Sequence, residues 1–181
     1  VVSIIGLLVG LSSLAISKAM QKGKEAKAKG DLSAIVTAVR AYRQEYGSYP
    51  SSAGPTDDEH SYASYANQQP KFATSPFGTP STLIAILCGE NRNGLNSKQI
   101  RFLEPGKINA GSNYVWLDPW GSEYCVMFDT NEDGGIEYWG DGNWEHPNIM
   151  LSVIAVSAGP NKKVDGGSSN SAICDDIFSW K

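Results

Sequence analysis

Histidine is almost missing from this chain, and the two that occur, His60 and His146, stand in no HExxH or paired metal spacing. No GxSxG elbow and no phosphate-cradling glycine loop is present either. No enzyme is expected on these grounds, since only a Ser-His-Asp set assembled from distant positions would escape such a reading. Cysteine is scarce too: Cys88, Cys125 and Cys174 are odd in number and lack CxxC spacing, which argues against zinc and thioredoxin-type sites. One disulfide with a spare thiol and three buried thiols both stay open. A basic surplus is also absent. With a net charge of -4 and a pI near 5.1, the chain has no broad basic face, and no nucleic-acid partner is expected. Its 181 residues suffice for one modest domain plus an extended segment.

What the chain does have is a charge-free apolar start, VVSIIGLLVGLSSLAIS, from Val1 to Ser17. This run is short of the roughly 20 apolar residues that span a bilayer. It also shows no start methionine and no basic region of a secretory signal, so Val1 reads as the processed or incomplete start of a longer hydrophobic helix. Gly6 and Gly10 have the GxxxG spacing that lets helices approach closely, and merely tolerated glycines are an equal alternative. Lys18, Lys22, Lys24, Lys27 and Lys29 follow, relieved only by Glu25. They read as a solvated helix face beside a membrane or filament boundary, with anionic lipid headgroups as the other reading.

From Asp31 the run DLSAIVTAVRAYRQEYG places Leu32, Ile35, Val36, Val39, Tyr42 and Tyr46 three or four apart, which predicts an amphipathic helix. Asp31 is expected to cap or begin a turn, Gly47 to take the left-handed position after the helix, and Pro50 to prevent its continuation. Gly23 and Gly30 predict a bend or a melted turn. Taken as continuous, the helix would extend about 70 Å, farther than the remaining domain is wide, so its first half must protrude. Ser51 to Pro80, with the acidic patch Asp57, Asp58 and Glu59, reads as a surface loop. A short helix is expected from Ser81 in STLIAILCGE, broken by Asn91 to Asn96. Strands are expected at Ile100 to Leu103, Asn113 to Leu117, Glu123 to Phe128, Ile136 to Trp139 and Ile149 to Ser157, joined by short turns as an antiparallel meander. The tail ends in an apolar anchor of Ile177, Phe178 and Trp180. Trp116, Trp120, Trp139 and Trp144, with Tyr114, Tyr124 and Tyr138, read as sheet packing rather than a glycan or protein contact face.

Two acidic stretches are candidate metal sites. DTNEDGG sets Asp129, Asn131 and Asp133 at alternate positions before Gly134, the opening of a calcium loop. The twelfth position is Gly140 rather than a bidentate glutamate, so an EF-hand is excluded and an Asp-Gly hairpin turn is the competing account. Between Gly159 and Ile177, Asp165, Asp175 and Asp176 sit among glycines and serines; so long an unstructured loop is unusual unless functional, disordered or pinned.

These pieces together resemble the type IV pilin-like superfamily, most closely the major pseudopilins of type II secretion systems. VVSIIGLLVGL is similar to the second half of the processed N-terminal helix, and AKGDLSAIVTAVRAYRQEYGSYP to the helix-to-loop signature ending in Tyr-Pro. YVWLDPWGSEY carries the Asp-Pro-Trp-Gly turn, and VSAGPNKKVDGG followed by CDDIFSW is similar to the closing calcium loop. Family members begin with a methylatable residue followed by Thr-Leu-Ile-Glu, which does not precede Val1, and residues 51 to 113 are longer than in compact members.

The resemblance implies an α+β fold: a long protruding helix packed on a small antiparallel sheet. Residues 1–30 would form the protruding hydrophobic and lysine-rich helix. Residues 31–181 would form the globular domain, with helix 31–46, a variable loop 47–112 and a C-terminal sheet 113–181. It implies a structural subunit of a helical filament, a homo-oligomer assembled through Val1, Ile4, Ile5, Leu7, Leu8, Leu11 and Leu14. Such a subunit is stored in the inner membrane, handled by secretion or pilus machinery, and placed in the periplasm or at the cell surface. Bound calcium is implied in the closing loop, on Asp175 and Asp176 with Asp165 and a carbonyl near Ser157. The positive-inside rule would put the lysines in the cytoplasm, and a basic leader before Val1 reconciles this with export. A membrane-anchored monomer that binds calcium or glycans is the alternative.

Overall fold

The computed structural model describes residues 2–50, 60–62, 80–106, 109–110, 114–137, 148–163 and 175–180, with side chains described for 16–50, 82–106, 114–136, 149–163 and 175–180. Helix α1 spans Val2–Tyr46. It runs without interruption through Gly23 and Gly30, beside neither of which an added Cβ would meet an atom within 4 Å. The expected melted turn is therefore not there; each glycine lowers local helix propensity by about 1 kcal/mol, and the neighbouring turns carry it. Asp31 likewise lies inside the helix rather than at a cap. Its Oδ2 accepts a hydrogen bond from the Tyr124 hydroxyl at 2.8 Å and lies 3.9 Å from Lys27 Nζ. Gly47 ends the helix at φ +73°, its N–H donating to the Arg43 carbonyl at 2.8 Å.

Ala28, Leu32, Ile35, Val36, Val39 and Tyr42 form the buried stripe of α1, at the three- and four-residue steps that the sequence displays. The remaining elements are β1 (His60–Tyr62), α2 (Pro80–Leu87), β2 (Asn109–Ala110), β3 (Tyr114–Val115), β4 (Cys125–Phe128), β5 (Ile136–Glu137), β6 (Asn148–Ile149), β7 (Val153–Ser157) and β8 (Ile177–Phe178). Among the described residues every strand pair is antiparallel, and β1, β4, β7 and β8 lie in that order in one sheet. The chain is thus α+β, a long N-terminal helix on a small antiparallel sheet.

Alternation along the strands sends Val126, Phe128, Val153, Ala155 and Ile177 toward the α1 stripe. Cys125, Met127, Ile154, Val156 and Phe178 form a second cluster with Ile136, flanked by Ile149, Leu151 and Trp180. Because both faces are covered, β4 and β7 are buried at every position and show no polar alternation. Helix α2 begins on Pro80, whose missing N–H matters least at a first turn. From Leu83 to Leu87 it is buried at every position. Gly89 (φ +104°) and Glu90 donate back to Ile86 and Ala85 at 3.1 and 3.0 Å and close it.

Several expectations are corrected. The sheet is not a meander of consecutive strands: β4 pairs with β7 across an intervening β5–β6 ribbon. The segment read as a loop from Ser51 to Pro80 contributes the edge strand β1, and the 47–112 stretch holds β2 besides the expected helix α2. Ile100 to Leu103 is not a strand, because Phe102 and Leu103 both turn their N–H groups to the Leu87 carbonyl, at 2.8 and 3.0 Å. Ile149 to Ser157 is broken by a tight turn in which Leu151 N–H reaches the Ile149 carbonyl and Met150 is turned out to solvent. Trp116 and Tyr124 are buried and meet edge to face at 5.7 Å, in keeping with a packing role. Trp139, Trp144 and Tyr138 lie outside the described residues.

Candidate functional site

Three places gather the candidate residues. The first is the free-standing part of α1. From residue 16 to residue 27 the side chains are exposed apart from the half-buried Glu25, and Ile16 and Met20 are 58% and 64% exposed. At Ala28 the same helix enters the core, with no exposure at all. Ile4, Ile5, Leu7, Leu8, Leu11 and Leu14 lie on the preceding turns of α1, and Val1 falls outside the described residues. Among the described residues no helix is long and apolar enough to cross a membrane.

The second is the turn after β4, which carries Asp129, Asn131 and Asp133. Asp129 is buried, and its Oδ2 accepts the Gly134 N–H at 3.1 Å. Asn131 Nδ2 donates to Asp133 Oδ2 at 2.9 Å, and Asp133 Oδ1 accepts the Gly135 N–H at 3.0 Å. Glu132 stands at φ +59° and forms an ion pair with Arg43 at 2.5 Å. Arg43 Nη1 also donates to the Tyr49 hydroxyl at 2.6 Å, and that hydroxyl donates to the Ser152 carbonyl at 3.0 Å. Burial pushes the Tyr49 phenol above its ordinary value, and Arg43 opposes the shift. A chain of polar contacts thereby ties the turn to the end of α1, a link carried by no local motif.

The third joins the Asp-Pro-Trp-Gly turn to the closing segment. Asp118 is buried, its Oδ1 accepting the N–H groups of Trp120 (3.0 Å) and Ser122 (2.8 Å). Its Oδ2 accepts the hydroxyl of Ser157 at 2.6 Å. Asp175 Oδ2 accepts the Asn161 N–H at 3.0 Å, and Asp175 and Asp176, both half-buried, lead into β8. Gly159, at φ +62°, passes so close that a Cβ there would stand 2.2 Å from the Asp175 carbonyl oxygen. Ser157, Asp175 and Asp176 are thus neighbours, and Asp165 lies outside the described residues. Their oxygen donors have the chemistry a hard cation requires. Among the described residues, however, no three histidine, cysteine, aspartate or glutamate side chains are grouped to hold a metal ion.

Local sequence patterns give no sign of the bonding of Asp118 or Asn96, two buried polar side chains with several partners each. Asn96 is fully buried and donates to the carbonyls of Ile86 (2.7 Å) and Ile100 (2.8 Å). It accepts from the Tyr46 hydroxyl (2.7 Å) and the Ile100 N–H (3.0 Å). Cys88 packs against the first cluster, where burial pushes its thiol up to about 11, while Cys125 lies in the second. No protein-family model, curated protein or solved structure matches the chain.

Proposed function

We propose that the protein is a structural subunit that polymerises through its N-terminal helix into a helical filament, a pseudopilus or type IV pilus of pilin-like fold. The observation that carries this reading is the division of α1. One unbroken helix presents a core-forming stripe from Ala28 onward and, before it, exposed Ile16 and Met20 that the domain leaves uncovered. Apolar surface gains roughly 25 cal/mol per Å² on leaving water, so helices packed side by side supply an assembly force that one copy cannot supply for itself. The inner membrane is the reservoir of the unassembled subunit, and calcium on Asp175 and Asp176 pins the closing segment.

Negative-stain microscopy of the mature protein tests the reading. Fibres about 60 to 80 Å wide are expected from the helix length and domain size. A species that stays monomeric in detergent-free buffer would overturn the filament, and a monomer held on membranes would favour a calcium- or glycan-binding module. Mass spectrometry of the native N-terminus adds a second check, a methylated residue followed by Thr-Leu-Ile-Glu ahead of Val1.

A further inference from the structure

We infer that the turn from Asp129 to Gly134 is a binding site for a hard divalent cation, calcium, separate from the Asp175–Asp176 segment and independent of the filament reading. The decisive group is Asp129, whose residue is 4% exposed. Its Oδ2 takes the N–H of Gly134, five positions on, which ties the carboxylate across the turn. The other oxygen, Oδ1, is buried with no hydrogen-bond partner, and so is the neighbouring Thr130 Oγ1. Burying an acceptor without a donor costs about 1–3 kcal/mol, and more for a charged group. A cation in the turn removes that cost.

The spacing suits the ion. Asp129, Asn131 and Asp133 supply two carboxylates and one amide oxygen at alternate positions, and Gly134, at φ +94°, turns the chain where the calcium-loop pattern places its glycine. The present contacts of Asn131 and Asp133 are with each other and with the Asp133 and Gly135 N–H groups. They lie at the surface, where exchange for a metal ion is cheap. With two carboxylates and no bidentate glutamate at the twelfth position, the remaining ligands are main-chain carbonyls and water, and affinity falls in the weak range of extracellular modules, about 10⁻⁴ to 10⁻³ M. Oxygen donors alone favour calcium over zinc, and an irregular donor set favours it over magnesium, which demands a near-ideal octahedron. Glu132, between the ligands, reaches Arg43, so the bound ion would stiffen the turn against the end of α1.

The test is calorimetric titration of the full chain, stripped with EDTA, with calcium chloride, alongside melting curves. Wild type should bind calcium and melt about 3 °C or more higher at ten times the dissociation constant. Asp133 is exposed, so Asp133→Asn should fold as wild type in EDTA yet bind calcium at this site at least ten-fold more weakly. Asp129→Asn should abolish the site, and the Asp175→Asn/Asp176→Asn pair should leave it intact. No calcium-dependent change in wild type overturns the proposal. So does a response that survives Asp133→Asn unchanged, one removed only by the Asp175/Asp176 pair, or an equal response to magnesium chloride.

Discussion

The phenol of Tyr124, at the start of the central strand region, donates a 2.8 Å hydrogen bond to the carboxylate of Asp31 in the middle of α1. It is a polar fastening between helix and sheet in an otherwise apolar seam. Tyr124→Phe keeps the ring against Trp116 and removes only this bond. A loss of about 1.5–3 kcal/mol is expected, as for a hydrogen bond to a charged group, read as a lower urea midpoint at unchanged slope.

Alkaline pH should destabilise the fold through two phenols. Burial raises Tyr42 to about 12, with Tyr46 adding to the shift, and burial followed by the Asp31 contact raises Tyr124 further. In the unfolded chain both return to about 10. The folded state therefore holds protons that the unfolded state has released, so stability is level below pH 10 and falls as pH rises through 10 to 12 and beyond. Urea melts between pH 8 and 12 should show this decline, and Tyr42→Phe and Tyr124→Phe should each flatten it.

Asp118 accepts from Trp120, Ser122 and Ser157, so Asp118→Ala leaves two part-buried N–H groups and the buried Ser157 hydroxyl without this acceptor. A loss of about 3 kcal/mol or more is expected, with Asp118→Asn retaining part of it. Denaturant titration of the three proteins checks the order.

Gly159 combines a left-handed backbone with contact against the Asp175 carbonyl. Gly159→Ala should cost about 2–4 kcal/mol and displace the segment leading into β8, seen as faster amide exchange at Ile177 and Phe178. Gly47, with the same sign of φ but open space around it, should suffer less.

Ile16 and Met20 touch nothing that holds the domain together. The double change Ile16→Ser/Met20→Ser should leave the unfolding free energy within about 0.5 kcal/mol of wild type while weakening fibre formation, as judged by sedimentation. Leu32→Ala, one turn beyond the point where the helix enters the core, should by contrast cost about 2–5 kcal/mol.

Both helices were legible because their signals are local. The stripe from Leu32 to Tyr42 repeats at helical spacing, Gly47 closes α1, and STLIAILC is apolar enough to be buried. Strands β4 and β7 were legible as short apolar runs, but their pairing across the β5–β6 ribbon was not, since register between distant segments leaves no periodic trace. Strand β1, His-Ser-Tyr, carries no strand pattern and owes its form to β4. The break after Ile149 was hidden because Met150 is apolar in sequence yet solvent-facing in the fold. Of the candidate sites, the Asp129 turn was readable from spacing, whereas the burial of its Oδ1 required the fold. Asp118 and Asn96 escaped notice because a polar residue in a turn looks the same whether it faces water or four partners.

An unbroken α1 also has a mechanical meaning. Because the helical turns continue through Gly23 and Gly30, a pull on the far end is passed from turn to turn to Leu32 and Ile35, which are packed in the core. Load on one extremity is thus felt at the centre of the molecule, so the seam there must be strong in shear as well as stable at rest.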